Sequence, residues 1–249
     1  MAYEQEKQVA ITAVTQAAIL CESVRQGLVP QAIEKNDKSP VTIADYGAQA
    51  VVCKALATAF PGDPVVGEED TTDLRQPETT PVLAAVTEQV QQILPGITNS
   101  EVLSYIDHGS GDVAPRYWTL DPIDGTKGFL RGDQYAIALA LVEDGDLKVG
   151  VLGCPFLSFD GGEKGLLLVA VRGEGTVMMP LTGGNPQPLT VAAADDSDHF
   201  RFVESVESGH GDQSQQSAIA QAVGITTPSM RMDSQAKYAA VAAGQAVLY

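Results

Sequence analysis

The stretch Tyr117-Trp118-Thr119-Leu120-Asp121-Pro122-Ile123-Asp124-Gly125-Thr126 constrains this chain more than any other. An apolar run that breaks at Asp, Pro and Gly reads as a buried strand entering a turn. Such a turn can aim two carboxylates three residues apart, and the carbonyl between them, at one point. Converging hard oxygen donors are what Mg²⁺ or Ca²⁺ requires. Asp, Pro and Gly are equally the common formers of an ordinary strand-end turn. The stretch therefore poses a choice between metal site and plain turn that the rest of the chain has to decide.

Charge and composition narrow the partners. A net charge of −17 argues against nucleic-acid duplexes and anionic membranes, though a small phosphorylated ligand stays possible where bound cations reverse the local sign. At 249 residues and 44% hydrophobic content, the chain can bury the core of one large domain or two smaller ones. No apolar run is long enough to span a bilayer. The start, Met1 to Lys7, is polar and lacks the basic and apolar regions of a secretory signal. Cys21, Cys53 and Cys154 are widely spaced and odd in number, so neither a disulfide framework nor a thiolate metal site is indicated. A cytoplasmic protein is the expectation.

Periodicity predicts a mixed α and β chain. Ala10, Ala13, Val14, Ala17, Cys21 and Val24 predict a helix over residues 7 to 28, and Ala44, Ala48, Val51, Val52, Ala55 and Ala59 a second one, stopped by Pro61-Gly62. Thr80-Pro81 reads as the N-cap and first turn of a third helix ending at Pro95-Gly96. Strands follow at 135 to 142 and 147 to 152 around the hairpin signal Glu143-Asp144-Gly145-Asp146, then at 166 to 171 and 176 to 179. Beyond Pro188 come a strand over 200 to 206, helices near 213 to 223 and 234 to 243, and a core strand from Ala246. The segment 181–188 is the expected connection between an N-terminal α+β half (1–180) and a C-terminal α/β half (189–249).

Three further clusters bear on the Asp turn. Val65-Val66-Gly67-Glu68-Glu69-Asp70 is a short apolar strand running into acids, which taken alone are most simply solvated. Lys38-Ser39-Pro40-Val41-Thr42-Ile43-Ala44-Asp45 delivers Asp45 to a helix start, where capping alone would favour an acid. Glu207-Ser208-Gly209-His210 and Asp233-Ser234-Gln235-Ala236-Lys237 could hold a phosphate or sugar through backbone N–H groups, Ser and Lys, although Lys237 could equally be a solvated helix lysine.

Together these motifs resemble the lithium-sensitive, magnesium-dependent phosphatases of the inositol monophosphatase superfamily. Gly67-Glu68-Glu69 and Asp121 to Thr126 are similar to its shared signatures. The run Lys127-Gly128-Phe129-Leu130-Arg131-Gly132-Asp133-Gln134-Tyr135-Ala136 resembles the 3′(2′),5′-bisphosphate nucleotidase branch, as do the segments around Asp45, Glu207 and Asp233. Inositol monophosphatases usually continue the Asp turn with Asn-Phe. The resemblance covers nearly the whole chain and implies a layered α-β-α-β-α sandwich.

It also implies a chemistry. Glu68, Asp121, Asp124 and the Ile123 carbonyl would hold two or three Mg²⁺ ions, with the Ile123 side chain in the core. Asp45 and Thr126 would orient and activate the attacking water. Gly125-Thr126 would open a helix whose N–H groups help hold phosphate. Ser208, Gly209 and His210 would face the nucleoside, and Ser234 and Lys237 the second phosphate. Glu69 and Asp70 are expected outside the primary ligand set, and His108 and His199 on the surface.

The implied reaction is hydrolysis of adenosine 3′,5′-bisphosphate (PAP) to AMP, with conversion of its sulfated analogue PAPS to APS alongside, by a monomer with no nucleic-acid or membrane partner. An inositol polyphosphate or monophosphate phosphatase is the enzymatic alternative. A catalytically weak metal- or nucleotide-binding fragment is the other. Members of the superfamily continue with an Arg and a Trp-Asp-x-Ala-Ala-Gly motif whose Asp is a further ligand; this sequence stops at Tyr249, before both. The expectation is a cage short of one wall.

Overall fold

In the computed structural model, the described residues are 3–27, 32–34, 40–159, 161–193, 196, 200–206 and 213–249. Helix α1 (Glu4–Gly27) buries Ala10, Ala13, Val14, Ala17, Cys21 and Val24, the stripe that the periodicity predicts. It lies against α2 (Ile43–Ala59), in which every residue from Ile43 to Cys53 is buried. Small residues allow that closeness. A Cβ on Gly47 would stand 2.9 Å from Leu20 Cδ2. Because α2 begins at Ile43, Asp45 sits in its first turn.

Residues Ala32–Glu34 (β1) and Pro40–Thr42 (β2) form a short antiparallel pair. Helix α3 (Thr80–Ile93) follows a 3-10 turn at Pro77–Thr79. Here Thr79 is the N-cap in place of the expected Thr80, and it makes no side-chain cap bond, because its hydroxyl donates to the carbonyls of Asp73 and Gln76. Helix α4 (Asn99–His108) has no counterpart in the sequence reading. Its signal was present as a reciprocal capping box between Thr98 and Glu101.

A seven-stranded sheet follows the order β3 (Val65–Val66), β4 (Arg116–Asp124), β5 (Ala136–Glu143), β6 (Asp146–Cys154), β7 (Leu166–Val171), β8 (Gly175–Pro180), β9 (Gln187–Pro188). Only the β3–β4 pair is parallel. The β5–β6 hairpin turns at Asp144-Gly145, both with positive φ (53° and 79°), which suits the right-handed strand twist.

Alternation divides the two faces of the sheet. Trp118, Leu120, Ile137, Leu139, Leu141, Val149, Val151, Leu167 and Val169 join the helices in one core. Ala136, Cys154, Leu166 and Leu168 face a second core built with Ala236, Ala239 and Ala240 of α7 (Ala236–Ala242) and with Val203. Val203 belongs to β10 (Val203–Glu204), which pairs in parallel with β11 (Met230–Arg231). Helix α6 (Gln213–Ala222) lies between those strands in sequence. Helices, sheet, a helix and a further strand pair give the layered α+β arrangement.

Two sequence readings need correction. The core strand expected from Ala246 is a single parallel bridge between Leu248 and Phe202, with Leu248 and Tyr249 exposed. Among the described residues, its backbone bonds from Val247 and Leu248 run to Arg201 and Val203. The last helix starts at Ala236, two residues later than expected, because Ser234 holds a left-handed conformation (φ 66°) that no α-helix continues.

At the far end of β4, Arg116 donates to Asp63 (2.9 Å), Glu6 (3.0 Å) and Glu143 (3.4 Å), while the Trp118 indole donates to Asp63 (3.2 Å). That network ties the start of α1, the approach to β3 and the hairpin to one guanidinium.

Candidate active site

The other end of β4 gathers the acids. In a regular strand residues three apart point to opposite faces. Here Asp121 pairs with Ala138 and Asp124 with Ala136, so three steps on β4 oppose two on β5. One extra residue is a β-bulge, and it restores both carboxylates to the same side. Pro122 fits inside it because it has no N–H to leave unpaired. The expected break into a turn thus lies later, at Gly125. Ile123 meanwhile buries its side chain in the helix-side core, as expected, stabilising the bulge by about 2 kcal/mol. Its carbonyl accepts from the Thr126 hydroxyl (3.2 Å).

Gly125 has φ 88° and caps α5 (Thr126–Arg131), the helix that the sequence places there. A side chain would fail at Gly125 twice: the dihedral is left-handed, and a Cβ would lie 2.9 Å from Ser234 Cβ. The bare glycine lets the segment from Asp233 to Lys237 close over the turn. Arg131 secures it from the far side by pairing with Asp233 (2.6 Å).

Three other segments converge on this turn. Glu68, on the exposed loop after β3, shares a hydrogen bond with Asp121. Asp45 is buried at the start of α2 and close enough to raise the proton affinity of Asp121. The Gln235 N–H donates to Asp124, and the buried Lys237 ammonium acts on the same carboxylate. Lys237 Nζ also lies 5.3 Å from the centre of the Tyr249 ring. The solvated-lysine reading of Lys237 does not hold.

Electrostatics report the crowding. Burial, then Glu68, Asp124 and Asp45, push the Asp121 carboxyl up to about 8. Burial also raises Asp124, against the Gln235 N–H and Lys237, which lower it, while Glu68 and Asp233 raise it further. Lys237 is lowered by burial and held up by Asp124 and Asp233.

Asp121 Oδ1 is buried with no hydrogen-bond partner. An unpaired buried acceptor among like charges suits a cation. The donors expected from the sequence are carboxylates and a carbonyl, with no thiolate or imidazole among them, and such a set would suit a hard divalent cation. The carboxylates gather without closing: among the described residues, no three His, Cys, Asp or Glu side chains form a ready metal cluster.

Some expected residues are placed differently or not at all. Ser208, Gly209 and His210 lie outside the described residues, as do Lys38, Ser39, Glu207 and His199. The Ser234 hydroxyl accepts from the N–H of Ala236 (3.2 Å), the first residue of α7. Glu69 is buried, which rules out the solvated reading for it, whereas Asp70 is exposed. His108 is half-buried, not a plain surface histidine, with its Nε2 unpartnered and its basicity lowered by burial.

Sequence reasoning missed Gln49, which is fully buried one turn beyond Asp45. Its amide accepts from the Glu69 N–H (3.0 Å) and donates to the carbonyls of Glu69 (2.6 Å) and Ile106 (2.9 Å).

Relatives share this sequence throughout. A profile of the Inositol monophosphatase family matches residues 3–249. A 3′(2′),5′-bisphosphate nucleotidase of Schizosaccharomyces pombe is 44% identical, covering 100% of this chain and 77% of its own length. The nucleotidase of that name from Emericella nidulans is 40% identical (100% and 79%), and 3′(2′),5′-bisphosphate nucleotidase 1 of Arabidopsis thaliana is 40% identical (100% and 78%).

Solved structures support the fold. CysQ of Bacteroides thetaiotaomicron, a bacterial member of the inositol monophosphatase family, aligns with TM-score 0.58 at 21% identity, covering 98% of this chain and 79% of its own. An IMPase from Thermotoga maritima aligns at 0.63 and 21% identity (97% and 74%). With the family profile and full-chain relatives in agreement, the chain belongs to the inositol monophosphatase family.

Proposed function

We propose that this chain is a metal-dependent phosphomonoester hydrolase that removes the 3′(2′)-phosphate of PAP, giving AMP and inorganic phosphate, and that it acts likewise on PAPS to give APS. The observation that carries the chemistry is Asp121. Its carboxyl is pushed up to about 8 by burial and by three other acids drawn from three segments, with one oxygen left unpaired. Such a charge excess is costly in a binding site unless a cation offsets it. The substrate class rests on the names of relatives at 36–44% identity.

Glu68, Asp121, Asp124 and the Ile123 carbonyl are the proposed Mg²⁺ ligands, for two or three ions. When bound, Mg²⁺ would offset the charge of the phosphate dianion and make the attacking water easier to deprotonate. Asp45, fixed at the start of α2, accepts the proton of the attacking water. Thr126 steers that water and keeps the Ile123 carbonyl in position through the bond already present. Water attacks phosphorus as Asp45 takes its proton, the P–O(3′) bond breaks, and the leaving 3′ oxygen takes a proton from solvent, to which Asp45 returns its own. No protein nucleophile is involved.

Lys237 and Ser234 face the second phosphate from the segment that closes over Gly125, and Ser208, Gly209 and His210 are proposed for the nucleoside. Phosphate release from PAP and from inositol 1-phosphate, each with Mg²⁺ and with added Li⁺, tests the assignment. PAP turnover that needs Mg²⁺ and falls with Li⁺ is expected. Preference for the inositol ester would overturn the substrate, and release that is indifferent to Mg²⁺ would overturn the mechanism.

A further inference from the structure

We propose that Gln49 is a positioning residue for the metal ligands, acting through the Gly67-Glu68-Glu69 loop; the inference rests on the metal-phosphatase reading above. The loop has only two strand residues before it, so β3 alone cannot fix where Glu68 points. Gln49 supplies the missing constraint. One primary amide binds both backbone groups of Glu69, as a neighbouring strand would, and uses its remaining N–H on the Ile106 carbonyl at the end of α4. With Glu69 held at N–H and C=O, the peptide that follows Glu68 has one orientation.

Two glycines make room for that amide. A Cβ on Gly67 would stand 2.6 Å from Gln49 Oε1, and a Cβ on Gly109 would stand 2.5 Å from Nε2. The Gly67 N–H also donates to the Gly109 carbonyl (2.6 Å), closing the knot. Asp45 lies one turn earlier on the same buried helix. A single rigid element therefore presents the proposed base and sets the loop that carries the proposed ligand Glu68. Groups that orient metal ligands in this way typically affect metal affinity or activity by about 10- to 100-fold when removed.

Gln49→Met keeps the volume and deletes the hydrogen bonds. Gly109→Ala leaves Gln49 in the sequence and displaces its amide; its φ of −73° is comfortable for alanine. The probe is Mn²⁺, titrated by electron paramagnetic resonance without substrate, with Mg²⁺ half-saturation and kcat for PAP measured in parallel. Val90→Ala, in the core of α3, serves as a control for general destabilisation.

Both Gln49→Met and Gly109→Ala should weaken Mn²⁺ binding by about tenfold or more and raise the half-saturating Mg²⁺ alike. Val90→Ala should lower the melting temperature with Mn²⁺ affinity unchanged. Wild-type Mn²⁺ affinity in folded Gln49→Met or in folded Gly109→Ala would overturn the inference while the phosphatase reading stands. A wild-type chain that neither binds Mn²⁺ nor releases phosphate would take both down.

Discussion

Replacing Asp121 by Asn in the metal-free protein should stabilise it above neutral pH. The Asp121 carboxyl rises from 3.8 to about 8 on folding, so the folded chain holds a proton there that the unfolded chain has lost. A group raised in this way contributes stability that is complete below the unfolded value and is lost as pH rises through the folded one. Over that window, between about pH 4 and about pH 8, each pH unit removes up to about 1.4 kcal/mol. The ceiling is about 6 kcal/mol. Water reaches part of the site, so a gap of about 2–4 kcal/mol is the working figure.

Asn cannot ionise and keeps the shape, so it avoids the loss. Urea denaturation of both proteins in chelator, from pH 5 to pH 9, should show curves that nearly meet at the acid end and separate steadily, with the Asp121→Asn variant the more stable at pH 9. Mg²⁺ at about 1,000 times its Kd should reverse the order, since it then adds about 4.1 kcal/mol to the protein that binds it. A pH-independent gap, or an Asn variant less stable than wild type at every pH in chelator, would refute the reasoning.

Mg²⁺ binding near pH 7 should release close to one proton per chain, read by calorimetry in buffers of different ionisation enthalpy, and less at pH 9. Lys237→Ala should raise KM for PAP by about tenfold or more and leave a mononucleotide without the second phosphate nearly unaffected; equal losses would remove Lys237 from the substrate site. Gly125→Ala should cost about 1–3 kcal/mol in chemical denaturation and lower kcat, because it strains a left-handed dihedral and pushes on Ser234. Arg116→Leu should lower the melting temperature through three released carboxylates while leaving kcat for PAP unchanged.

Legibility in the sequence followed periodicity and local chemistry. The stripes of α1 and α2 and the Asp144-Gly145 hairpin are local signals, and each appears where the pattern puts it. The Asp121 to Thr126 stretch revealed a strand entering a turn, yet the bulge that turns Asp121 and Asp124 to one side depends on pairing with Ala138 and Ala136, which no local pattern encodes. Helix α4 was signalled by Thr98-x-x-Glu101 and overlooked, since its apolar residues are few.

Gln49 was not legible at all. A glutamine within an alanine-rich helix carries no periodic or motif signal, and its partners stand 20 and 57 residues away. Lys237 misled in the opposite direction: helix lysines are usually solvated, but this one is buried beside an aromatic ring and within the field of Asp124 and Asp233, none of them in its helix.

The central claim is that Glu68, Asp121, Asp124 and the Ile123 carbonyl hold the cation that hydrolysis needs. Crystals grown with Mn²⁺ and a non-hydrolysable PAP analogue, measured at the manganese edge, address it most directly. The account predicts an anomalous peak about 2.0–2.3 Å from oxygens of those residues, with the scissile phosphate in contact with it. Full occupancy by the analogue with manganese bound elsewhere, or with these oxygens more than about 4 Å from any peak, would contradict it.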